Sequence, residues 1–224
     1  MKVVRVALMA MVAAACNDPA IPDRAGVYAF ADTSIIGVDT TIYLFHWPAT
    51  RLPVRFWADT RGNMRDLVAR GIGAWEEQFL YGEFRGALVS DSGTADVIVC
   101  WGDCEGGSAD SIPPDVPPDP GPPINACRGV TTVSFDSALV GPVHVSLEVF
   151  GASGTAAQVQ ACMRRVAIHE LGHSLGLGFP GGRHSAFDED IMYSPPIVDY
   201  PSRFDRRTVE VLYHSQPTVQ PPQP

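Results

Sequence analysis

The sequence predicts an α+β domain: a twisted, mixed β-sheet packed on two long helices, with a short helix near the C-terminus. Three observations point there. Short apolar runs such as LPVRFW (52–57), ADVIVCW (95–101) and VHVSLEVF (143–150) have the length and composition of strands. Two longer segments repeat apolar residues at helical spacing, Met64, Leu67, Val68, Ile72, Trp75 and Phe79 in one and Val159, Cys162, Met163 and Val166 in the other. Their order is strands, helix, strands, helix, irregular segment, helix, and the strand-rich middle with its tight turns suits a mixed sheet backed by helices.

At the N-terminus, Lys2 and Arg5 precede an apolar run (6–15), and Ala13-Ala14-Ala15 leads into Cys16. This is the order of a secretory signal, about half the length needed to span a bilayer. Small residues before a cysteine resemble a bacterial lipobox, although Ala13 stands where such boxes usually carry Leu. Cleavage before Cys16 and lipidation there is one expectation, and ordinary cleavage near Ala15 is the other. Either places the protein outside the cytoplasm, anchored in the cell envelope or secreted, and touching a membrane only through that lipid.

Residues 16–26 read as a tether and 27–214 as a single domain, since 224 residues allow one substantial core. Strands are expected at 27–36, 41–47 and 52–57, a helix at 63–79, and an apolar strand at 95–101 of the kind buried on both faces. Residues 105–125 hold seven prolines, three aspartates and Glu105, an extended acidic loop and not a second domain. Strands at 130–135 and 143–150 flank a turn at Gly141-Pro142, and the second long helix covers 155–176. A Gly/Pro-rich loop follows (178–201). Ser202 opens the last helix, with Asp205 three positions on as a capping-box pair. The tail from 215 to 224 reads as disordered. Trp47, Trp57, Trp75 and Trp101 read as core, and His46, His144 and His214 as structural or surface residues.

The chain carries a formal charge of −9, and its only lysine is Lys2. An acidic chain without a basic patch argues against nucleic acid as a partner; a monomer is expected. Beyond Cys16, the cysteines are Cys100, Cys104, Cys127 and Cys162. Their even number in an exported protein suggests two disulfides with three possible pairings. Because Cys104 and Cys127 bracket the acidic loop, a bridge between them could pin its base. A four-cysteine zinc site is the competing reading, but the spacing matches zinc-ribbon patterns poorly.

The chemistry concentrates in HELGHSLGLGFPGGRHSAFDEDIMY (169–193). His169 and His173 are one helical turn apart, so both imidazoles project from one face and can share a metal ion. Glu170 lies beside that face, where its carboxylate can reach a metal-bound water. Zinc lowers the pKa of such a water to about 7, and the carboxylate can take its proton as it attacks a carbonyl. Gly176 follows three positions after His173, where a chain could leave the helix.

HExxHxxG followed by Met192 within an IMY turn resembles the metzincin metalloproteases, and HELGHSLGLG…DIMY is most similar to the matrixin branch. The resemblance covers roughly residues 50 to 214, strong at the site and weak elsewhere. It implies a zincin-like fold with one catalytic zinc, Glu170 as general base, and Met192 as a Met-turn beneath the ligands. It also implies an extended peptide or protein substrate lying along an edge strand, plausible at 130–135. Structural calcium or a second zinc has no supporting spacing here. Metzincins usually place the third ligand three residues after the motif Gly, and that position is Phe179, which cannot bind zinc. Counted back from the Met-turn, the third His of matrixins falls about six residues before the residue that opens it, and His184 is six before Asp190. His184 is therefore the candidate, with residues 179–183 inserted ahead of it as a surface bulge of loop-forming composition. Asp188 or Asp190 are alternative ligands. Glu189 or Glu210 would suit a gluzincin arrangement that leaves Gly176 and Met192 without a reason. A metal-free remnant would not need to keep this set together. Against the zinc endopeptidase stands one further class, a non-catalytic surface binding module on the same fold.

Overall fold

A computed structural model describes residues 27, 30–36, 39–102, 126–150, 154–180 and 182–222. The described elements are β1 (Asp32–Ile36), β2 (Asp39–Tyr43), β3 (Val54–Ala58), α1 (Met64–Glu76), β4 (Gly86–Val89), β5 (Val97–Trp101), β6 (Cys127–Thr132), β7 (Val143–Val149), α2 (Ala156–Ser174) and α3 (Arg203–Tyr213). β1 and β2 form a separate hairpin, and the other strands form one sheet in the order β4-β3-β5-β7-β6. Within this sheet only the β6–β7 pair is antiparallel, so the sheet is mixed, which is compatible with the class α+β.

Alternation places one apolar layer on one face. Val54, Phe56 and Ala58 of β3, Val97, Val99 and Trp101 of β5, and Val143, Val145 and Leu147 of β7 are all buried. The register sets Phe56 beside Val97, Val97 beside Val143 and Val99 beside Val145, so the layer is continuous. α1 covers its β3, β4 and β5 part and α2 its β7 and β6 part, the two helices packing on each other. Trp75 locks that pair: it is fully buried, and its indole N–H donates to the Ile168 carbonyl at 2.8 Å. Side chains of this size each contribute about 1.5–3 kcal/mol when removed from water.

α2 starts at a capping box in which Thr155 accepts from the Gln158 amide and Gln158 returns the bond to the Thr155 amide. α3 is capped the same way by Ser202 and Asp205, as its sequence implies. At the other end of the sheet's order, β6 is the edge strand, and its inward positions are Cys127, Gly129 and Thr131.

Several expectations change. β6 ends at Thr132 and begins earlier than the strand read at 130–135. Residues 44–47 are buried but lie outside any ladder. β4 was not foreseen, because its Gly86-Ala87 start has little strand preference. Trp57 lies on the face away from the helices and is only partly buried, so the core tryptophans are Trp47, Trp75 and Trp101. On that face of β5 Ile98 is only partly buried while Cys100 is buried, so the strand is covered on both sides except at Ile98. The tail read as disordered returns to the domain through residue 222. Thr218 and Gln220 bond the backbone at Leu44, Ser137 and Leu139, and Val219 is buried.

Cys127 is bridged to Cys162, joining β6 to α2, so it does not pin the acidic loop to Cys104. Cys100 is disulfide-bonded too, which removes a four-cysteine zinc site. The signal and tether (1–26), Cys16, Cys104 and the 105–125 loop lie outside the described residues. No described helix is long and apolar enough to cross a membrane.

Candidate metal centre

α2 runs to Ser174 and presents His169, Glu170 and His173 on its buried side. The chain leaves the helix at Gly176, whose φ of +108° favours glycine and where a Cβ would come within 1.9 Å of the Phe45 carbonyl oxygen. That exit returns the Leu177 carbonyl to accept from His173 Nδ1 at 2.7 Å. Further on, the Ile191 carbonyl accepts from His169 Nδ1 at 2.8 Å. A carbonyl can only accept, so Nδ1 of each ring holds the proton and Nε2 carries a lone pair.

His184 comes from the irregular segment. Its ring stacks on His169 with centroids 5.1 Å apart and meets His173 edge-on at the same separation. One nitrogen from each of the three rings lies within 4.8 Å of the others, and among the described residues this is the group of His, Cys, Asp or Glu that could hold a metal ion. The Nε2 atoms of His169 and His173 are 3.2 Å apart. Two facing lone pairs repel unless a cation lies between them. A tetrahedral ion with zinc–nitrogen bonds of about 2.0 Å separates its nitrogens by about 3.3 Å, so this pair fits a zinc-sized ion, and His184 lies close enough to join a metal site.

Electrostatics favours the ligating form. Burial lowers all three imidazoles: His169 falls well below the usual histidine range, with His173 adding to the effect, and His173 falls to about 4 despite its bond to Leu177. His184 is lowered by burial as well. All three are neutral near pH 7. In the protein alone, burial raises the Glu170 carboxyl to about 7, against hydrogen bonds from Thr131 that pull it down.

The loop that delivers His184 is tied down by two buried carboxylates. Asp190 accepts from the hydroxyls of Ser185 and Ser202. Asp205 accepts from the amides of Ile191 at 2.8 Å and Ser202 at 2.7 Å, so the cap of α3 also holds the residue whose carbonyl orients His169. Met192 is fully buried, with its sulfur against Gly172, where a Cβ would approach it to 2.5 Å.

Of the sequence candidates, the structure brings together His169, Glu170, His173, His184 and Met192. Asp188 and Glu189 are exposed and outside the cluster, Asp190 serves the loop, and Glu210 pairs with Arg206 on α3. His144 and His214 are exposed, while His46 is buried with Nε2 donating to the Ser215 carbonyl at 2.9 Å. The surface-bulge reading of 179–183 fails at its first residue. Phe179 is buried, bridges Ala31 in parallel, and packs its ring on Phe45 and Phe135 at 5.4 and 5.0 Å. It occupies the core because its apolar ring leaves water to pack on these two aromatic neighbours.

Thr131 and Gly129 were missed. The Thr131 hydroxyl donates to Glu170 Oε2 at 2.7 Å, and a Cβ on Gly129 would stand 2.3 Å from Glu170 Cγ. A glycine within an otherwise β-branched strand was the available signal for a close approach. Beside the cluster lies a cavity of about 190 Å³, lined in part by Gly129, Val166, His169, Glu170, His184 and Pro195. No family model matches the sequence, and comparison with curated proteins returns no match.

Proposed function

We propose that the protein is a zinc-dependent endopeptidase in which His169, His173 and His184 hold the metal and Glu170 is the general base. The observation that carries this reading is the convergence of three neutral imidazoles with a buried glutamate beside an exposed sheet edge. Zinc held by these rings would supply Lewis acidity, acidifying water and polarising a carbonyl. The carbonyls of Ile191 and Leu177 fix both ring tautomers, so Nε2 of His169 and His173 stays available. Glu170 takes a proton from the attacking water and delivers it to the departing amine. One water is consumed as the new C–O bond forms and the peptide C–N bond breaks. An extended peptide pairs with the open edge of β6, and the neighbouring cavity receives one of its side chains. Export, with a lipid on Cys16, belongs to the same proposal and rests on residues 1–16.

The test is Glu170→Gln against wild type, with zinc measured by atomic absorption and cleavage measured on fluorescein-labelled casein. The variant should keep its zinc while hydrolysis falls by about 10²–10⁴-fold, and a chelator should abolish wild-type cleavage. A wild type that holds stoichiometric zinc but cleaves nothing would favour the non-catalytic binding module.

A further inference from the structure

The inward positions of β6 all bear on α2. Cys127 is bonded to Cys162, Gly129 lies against the Glu170 side chain, and the Thr131 hydroxyl reaches the Glu170 carboxylate. Cys162 and Glu170 are two helical turns apart with Val166 between them, so one stripe of α2 receives one face of β6. The outward positions, Arg128, Val130 and Thr132, are exposed.

We propose that Thr131 is the positioning residue for Glu170, holding Oε2 so that the other carboxylate oxygen is presented to the site. This rests on the hydrolase reading for its kinetic consequence but not for its structural one. The hydroxyl is 2.7 Å from Oε2 and 3.0 Å from the Glu170 backbone carbonyl oxygen, so its single proton is shared between the carboxylate and the backbone of one residue. Glu170 is buried, and a buried carboxylate that loses a donor is left with part of its desolvation uncompensated. The bond also crosses from the strand expected to pair with substrate to the helix that carries the base. The carboxylate is therefore aimed from that strand, which β7 and the Cys127–Cys162 bridge keep in place.

Thr131→Val removes the hydroxyl at nearly constant volume, and Thr131→Ser keeps it. With casein and zinc-loaded protein, Thr131→Val should lower kcat by about tenfold to a hundredfold through misplacement of the base. KM and zinc content should not change, because the side chain faces the helix, and Thr131→Ser should recover most of the rate. A second readout needs no activity. In zinc-free protein, Thr131→Val should lower Tm by about 2–6 °C when Glu170 is present, the worth of one ordinary buried hydrogen bond in a chain of this size. In a Glu170→Ala background, where only the bond to the backbone carbonyl remains, it should lower Tm by clearly less. Equal Tm losses in both backgrounds, or wild-type kcat in Thr131→Val, would overturn the proposal. Coupled Tm values in a protein that cleaves nothing would support the Thr131–Glu170 tie and count against the hydrolase reading alone.

Discussion

Gly129→Ala adds one methyl group at the point where β6 meets Glu170. An ideal Cβ there would lie 2.3 Å from Glu170 Cγ and 2.8 Å from both Cδ and Oε1, where ordinary contact begins at 3.4 Å. Something must retreat by at least about 1 Å, a distance that can cost about 10²-fold in rate when it displaces a catalytic group. The strand cannot readily yield, because Cys127 is bonded to α2 and Thr131 is bonded to Glu170. The helix cannot either, because its neighbouring residues are buried on all sides of the turn. The carboxylate therefore moves. The expected outcome is a fall in kcat of about a hundredfold, equivalent to about 2.7 kcal/mol in the barrier. Overpacking should cost about 1–3 kcal/mol of stability. Zinc content should stay at the wild-type value, since no imidazole is touched. The assay is initial-rate cleavage of labelled casein on zinc-loaded protein, with urea unfolding and atomic absorption on the same samples. A variant that is fully zinc-loaded and turns over within about threefold of wild type would refute the argument that Glu170 is aimed by its contact with β6.

His184→Ala should lose most of its zinc in equilibrium dialysis, because two imidazoles alone do not complete a three-ligand site. Asp188→Asn should retain it, since Asp188 lies outside the cluster. Phe179→Ala should cost about 3–5 kcal/mol in urea unfolding, the penalty for emptying a buried aromatic site, while the folded fraction still binds zinc. Unchanged stability would restore the surface-bulge reading. For pH, burial raises the Asp96 carboxyl, but bonds from the Arg55 side chain and backbone and from Arg51, with the charge of Arg55, hold it below the usual range. A folded pKa below the unfolded one stabilises above the unfolded value and loses that contribution as pH falls through the folded one. The stability gap between wild type and Asp96→Asn should therefore be full at pH 5–7 and shrink below about pH 4, measured by urea unfolding at each pH.

What the sequence alone determined is what short-range geometry dictates. His169 and His173 share a helix face by their spacing, Glu170 lies beside them, Gly176 permits the exit, and Ser202 with Asp205 writes a cap, all within a few bonds of chain. His184 was picked out only through a resemblance, by the spacing to Asp190 and Met192 that the resemblance implies. Tertiary structure decided where the count could not reach. Phe179 reads as part of a loop, yet the hydrophobic effect draws it between Phe45 and Phe135, residues far away in the chain. Four cysteines allow three pairings, and only the seating of β6 on α2 selects Cys127 with Cys162. Gly129 marks a close approach without saying to what, and Thr131 carries no local mark of a partner thirty-nine positions away. Their meeting with Glu170 depends on which sheet edge the helix covers, a choice made by the packing of whole elements and not by any stretch of residues.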